Sequence, residues 1–151
     1  MVEFKLVLSD PKTGKSYQKE AKDDAAKLFI GKKIGDKIKG EVIDLTGYEF
    51  EIKGGSDASG FPMRWDVDGT GRKKITSVKS VGISNKKKLP NKNKKGQRKI
   101  LGLRRKKAVA GNTIHEKTAQ INLKIITQGK TPLDKPAEPE APADKPAEKA
   151  K

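Results

Sequence analysis

Apolar and polar positions alternate from the start of the chain. Over residues 2–9, Val2, Phe4, Leu6 and Leu8 fall on one face and Glu3, Lys5, Val7 and Ser9 on the other, the pattern of a half-buried strand. The turn cluster Asp10-Pro11-Lys12-Thr13-Gly14 follows, so residues 15–21 are read as the return strand of a hairpin. Asp23 or Asp24 is placed to cap a short helix over residues 25–30 that Gly31 ends. Ile34 and Ile38 lead into Val42 and Ile43, and after the Thr46-Gly47 turn Tyr48, Phe50 and Ile52 alternate as another strand. A glycine-rich loop over residues 54–60 and the turn Asp68-Gly69-Thr70-Gly71 precede a strand holding Ile75 and Val78. Ile121, Leu123 and Ile125 alternate again near the end.

Short strands parted by turns predict a mainly β fold: a small β-barrel of about five to seven strands with one or two short helices. Two segments carry too little apolar surface to offset the entropy of ordering. Residues 86–99, KKKLPNKNKKGQRK, offer one Leu among their cations, and residues 131–151 are rich in Pro, Ala, Glu and Lys. The expected organisation is a barrel body over 1–85, a basic extension over 86–107, a returning turn and strand over 108–129, and a disordered tail over 130–151.

Charge changes this picture from a fold to a function. The 151 residues hold 35 Lys and Arg against 19 Asp and Glu, a formal net charge of +16. Between Gly69 and His115 there is no acid, while 16 cations fall there: Arg72, Lys73, Lys74, Lys79, Lys86, Lys87, Lys88, Lys92, Lys94, Lys95, Arg98, Lys99, Arg104, Arg105, Lys106 and Lys107. The other 19 cations equal the 19 acids in number, so the whole excess lies in one third of the chain. A solvated face ordinarily mixes signs; a single-sign run of this density is read as a contact region for a phosphate backbone, where bound cations release counterions. Cysteine is absent and His115 is the single histidine, which excludes disulfides, thiol chemistry and a two-histidine metal site. No apolar run approaches a helical membrane span, and residues 1–10 are too short and charged to read as a signal peptide. A cytoplasmic protein with a polyanionic partner is expected, with no cofactor, metal or small-molecule substrate.

GGSDASGFPM, residues 54–63, is the most unusual stretch. Gly54, Gly55 and Gly60 suggest positive φ or close backbone approach, stiffened by Phe61 and Pro62. It lacks the Gly-Lys-Ser/Thr ending of a phosphate-cradling loop. Trp65 is either a platform for a base or, as a lone tryptophan beside a strand more often is, part of the core. Asp66 and Asp68 fit an Asp-Gly turn better than a metal or acid/base pair, and His115 has no nucleophile beside it in the sequence. ILGLRRKKAVAGNTI, residues 100–114, joins four consecutive cations to Gly102 and Gly111, which permit close approach to a backbone. Arg64, Arg98, Arg104 and Arg105 are the candidates for bidentate phosphate grip, with the lysines supplying bulk charge.

These residues resemble the small-subunit ribosomal protein "S six" family of the archaeal and eukaryotic type. GGSDASGFPM is similar to the family's central signature, GLRRKKAVAGNTI to its basic run leading into a Gly-Asn or Gly-Cys turn, and QINLKII, residues 120–126, to its closing strand. The resemblance spans roughly residues 2–129. It implies a non-enzymatic component of the small subunit that binds ribosomal RNA, lies beside other ribosomal proteins, and is present as a monomer in the particle. Eukaryotic members end in a long basic helix with regulatory phosphoserines. Here no Ser follows Ser84, so that regulation does not carry over, and the short tail has an archaeal look. Two rivals remain. A free-standing nucleic-acid-binding regulator calls for a recognition helix or repeated RNA-binding aromatics. A nuclease or other enzyme calls for an acidic cluster or second histidine beside the basic patch.

Overall fold

The computed structural model describes residues 2–88, 97–129 and 133. Its centre is a five-stranded sheet built from β1 (Glu3–Ser9), β2 (Ser16–Lys22), β3 (Lys37–Lys39), β4 (Glu49–Asp57) and β9 (Thr118–Thr127), in the order β2-β1-β9-β4-β3. The last strand is the hub: β9 runs parallel to β1 on one side and antiparallel to β4 on the other. The register aligns the apolar positions of all three, pairing Leu6 with Ile121, Leu8 and Ile52 with Leu123, and Phe50 with Ile125. Because side chains alternate with period two, a one-residue slip would turn this whole set outward. Phe4, Leu6, Phe50, Ile52 and Ile121 are completely buried. Full burial of a side chain of this kind contributes about 1.5–3 kcal/mol.

The predicted hairpin forms as read, with β1 and β2 joined over the Asp10–Gly14 turn. Helix α1 (Asp23–Phe29) buries Ala26 and Phe29 and gives way at Gly31, whose φ is +86°. Its acids act differently from the expectation. Asp23 and Asp24 lie in the first turn rather than at the cap, which is Lys22 and makes no side-chain capping bond.

The mainly β expectation holds, but the barrel does not close among the described strands. β2 and β3 end the sheet as unpaired edges. Helical structure lies beside the β2 end of the sheet: α1 packs on β1, β2 and the short 3-10 helix η1 (Gly40–Ile43), and Lys19 of β2 donates from Nζ to the Ile43 carbonyl. No helix among the described residues is long and apolar enough to cross a membrane.

Outside the sheet, β5 (Lys73–Ser77) pairs antiparallel with β8 (Arg105–Val109), and β6 (Lys86–Lys88) with β7 (Gln97–Lys99). Residues 86–99 are thus not irregular throughout: the two ends of that segment pair with each other. The mobility expected of residues 86–99 falls partly, and the disorder of the tail almost wholly, outside the described residues.

Candidate nucleic-acid interface

The acid-free stretch folds back on itself as a two-stranded arm. In β5–β8 the cross-strand pairs are Lys73–Val109, Lys74–Ala108, Ile75–Lys107, Thr76–Lys106 and Ser77–Arg105. Opposed residues share a face. One face therefore holds Lys73, Lys107 and Arg105, and the other Lys74 and Lys106, so cations occupy both sides of the ribbon. Further out, Ile100 N–H donates to the Asn85 carbonyl at 3.1 Å, extending the β6–β7 pair, and Arg105 Nη2 donates to the Lys86 carbonyl at 2.8 Å, linking β8 to β6. Lys73, Lys74, Lys86, Lys99, Arg104, Lys106 and Lys107 are exposed. Lys87, Lys88 and Arg98 are placed by backbone pairing in β6 and β7, and Lys92, Lys94 and Lys95 lie outside the described residues.

Two of the predicted arginines serve the body. Arg64 is 9% exposed. Its Nε and Nη2 grip the Asp66 carboxylate bidentately at 2.7 and 2.6 Å, while Nη1 donates to Ser80 Oγ at 2.7 Å and the Val81 carbonyl at 3.2 Å. The donors proposed for phosphate are used to tie the residue 64–66 segment to the residue 80–81 turn. Arg72 donates from Nε to Asp57 Oδ2 at 2.6 Å and from Nη2 to Ser59 Oγ at 2.9 Å, with its guanidinium 4.7 Å from the centre of the Phe61 ring.

The glycine-rich stretch is not a loop at its beginning. β4 continues through Gly54 and Gly55 to Asp57, with register shifts on both sides of this pair. Glycine in a strand marks a bulge or a close approach, and Gly55 is the second case: a Cβ there would run into the Gln120 carbonyl oxygen and press on Met63 Sδ. The turn that follows is organised by Asp57, a residue the sequence reading passed over. Asp57 Oδ1 accepts from the N–H groups of Ser59 (2.8 Å) and Phe61 (3.1 Å), and Gly60 supplies the φ of +79° that the turn needs. The signal was present in Ser-Asp-Ala-Ser-Gly, an aspartate two residues before a turn N–H.

The Gly-Asn turn is likewise an anchor. Asn112 is 7% exposed and donates from Nδ2 to Asp68 Oδ1 at 2.9 Å; a Cβ on Gly111 would collide with the Gly69 carbonyl oxygen. The close approach foreseen at Gly111 is therefore to the chain's own Asp68–Gly69 turn. Asp66 and Asp68 are both engaged in the body, as the turn reading expects, and His115 faces Thr118 Oγ1 at 3.2 Å. Trp65 departs from the core reading preferred for it: it is 74% exposed. Among the described residues no cluster of three His, Cys, Asp or Glu is arranged to hold a metal ion.

Comparison with known proteins identifies one family along most of the chain. The family model described as ribosomal protein S6e matches residues 4–138. Relatives named small ribosomal subunit protein eS6 include that of Archaeoglobus fulgidus, 42% identical over 134 residues, covering 88% of this chain and 94% of the relative. That of Methanococcus maripaludis strain C7 is 43% identical over 138 residues, covering 91% and 97%. That of Methanoculleus marisnigri is 38% identical over 145 residues, covering 95% and 100%. With a family model spanning most of its length and relatives of this similarity aligned nearly end to end, the chain belongs to the ribosomal protein S6e family.

Proposed function

We propose that this chain is a structural constituent of the small ribosomal subunit that binds ribosomal RNA through its basic arm and so supports subunit assembly and translation. The observation that carries this is the placement of cations on both faces of the β5–β8 ribbon within a stretch that has no acid from Gly69 to His115. An enzyme active on RNA would need titratable groups beside the cations. Here the nearest carboxylates, Asp57, Asp66 and Asp68, are committed to Arg72, Arg64 and Asn112.

The mechanism is electrostatic and geometric. The sheet, glycine approaches and clamped turns give a rigid base, and the arm projects charge into dense phosphate, with Lys73, Lys74, Lys86, Lys87, Lys88, Lys92, Lys94, Lys95, Arg98, Lys99, Arg104, Arg105, Lys106 and Lys107 as the contact set. Arg64 and Arg72 hold the base of the arm instead. The partners are small-subunit ribosomal RNA and adjoining ribosomal proteins in the cytoplasm, with one copy per particle. Sedimentation of tagged protein through a sucrose gradient tests this: it travels with small subunits at high salt. Recovery at the top of the gradient, as for a free-standing regulator, would overturn it.

A further inference from the structure

At the root of the arm lies a cavity of about 330 Å³, between the sheet and the Pro62–Trp65 and Ser80–Val81 segments. Its volume is at the lower end of the range of small-ligand sites, about 300–1,000 Å³. Trp65 and Val81, 74% and 56% exposed, are the two large apolar side chains at its mouth. Gly54 and Gly55 of β4 add no side chain to the lining, while Lys53 of the same strand and Asn122 of β9 add polar groups. The walls are held before anything enters, because the Arg64 guanidinium of one wall, fixed by Asp66 behind it, donates to Ser80 and Val81 of the other.

We infer that this cavity receives one unpaired base of the bound RNA, stacked on the Trp65 indole. The inference rests on the RNA-binding reading and adds a base contact to a mechanism otherwise made of phosphate contacts. Three observations select this occupant. An exposed indole in a preformed cleft offers the flat face on which any base stacks. Lys53, Ser80 and Asn122 place polar side chains in the lining, where the edge of a base would meet them. The cavity also adjoins the acid-free arm, so a polyanion drawn along the arm brings its bases past the mouth.

Trp65 is the chain's single tryptophan and reports on its own site. The full-length protein is titrated with a single-stranded oligoadenylate and with a fully paired RNA duplex of equal phosphate count. Both bind in a salt-dependent way, and only the single strand quenches Trp65 emission. Trp65→Ala weakens single-strand binding roughly 5- to 150-fold, the span of base–aromatic stacking, and leaves duplex binding and the salt slope unchanged. Trp65→Phe restores most of the loss. Unchanged melting curves establish that both variants fold. Salt-dependent binding of both RNAs with unmoved Trp65 emission, or a Trp65→Ala variant that binds the single strand like the parent, overturns the base pocket alone. Absence of salt-dependent binding to either RNA overturns the electrostatic reading beneath it. In assembled subunits, an ultraviolet cross-link from the Trp65 peptide to a nucleotide supports the pocket, and one to another protein's peptide overturns it in favour of a protein contact.

Discussion

The Asp57 side chain is buried, 4% exposed, and still ionised. Burial by itself pushes this carboxyl up; the Phe61 N–H, the Arg72 guanidinium and the Ser59 N–H outweigh burial and hold it below the ordinary value of 3.8. A carboxyl with a lowered folded pKa stabilises the fold fully above its unfolded pKa, and the contribution drains away as pH falls through the folded value. Asp57→Asn is therefore expected to lower stability by about 1–3 kcal/mol at neutral pH, with the deficit shrinking in acid below the folded pKa. Urea unfolding of parent and variant at both pH values checks this, and an equal deficit at the two would show that the charge is immaterial. Gly111 acts by shape instead. Its φ is not positive, yet a Cβ there meets the Gly69 carbonyl, so Gly111→Ala is expected to cost about 1–3 kcal/mol by overpacking. Its melting curve should shift down while the salt dependence of RNA binding is unaltered.

Among the elements, the arm separates charge from stability. Arg104→Gln, Arg105→Gln, Lys106→Gln and Lys107→Gln combined should leave the melting temperature nearly unchanged, because exposed charges add little to folding and Arg105 gives up one bond, to the Lys86 carbonyl at the arm's surface. The same variant should flatten the slope of log K against log salt by up to about 3–4 units if all four reach phosphates. Paired melting and RNA-titration curves decide it: an unfolded variant would show that these side chains hold the ribbon together. The sequence disclosed β1, β4 and β9 through a two-residue period written in apolar side chains, and β2, α1 and β5 through the turn, cap and glycine signals around them. The strands β6 and β7 escaped notice because lysines carry no such period; they are recognised by their backbone pairing. Open edges in place of a barrel were equally hidden, since alternation reports which face is buried and not which strand is a neighbour. At the site, the acid-free run and the glycine signature located the arm and its base. Whether an arginine turns outward or into the body depended on carboxylates brought near by the turns around it, Asp66 for Arg64 and Asp57 for Arg72.

For the whole molecule, the charges outside residues 69–115 balance, so the net charge of +16 is concentrated in the stretch that builds the arm. If about 6–10 of the arm's cations reach phosphates, log K for an RNA fragment should fall by about 5–9 per tenfold rise in salt. A slope near zero in filter-binding titrations would contradict this. The central position of β9 has a further consequence, one of timing. The sheet places its final strand between β1 and β4, so as the chain is synthesised the body lacks its middle until residues 118–127 emerge. Contacts of such long sequence separation form late. The cationic stretch, by contrast, is fully exposed to solvent before the sheet that anchors it exists. For that interval the nascent chain is a polycation without a folded scaffold, and its charge is on offer before the geometry that later fixes where the arm points.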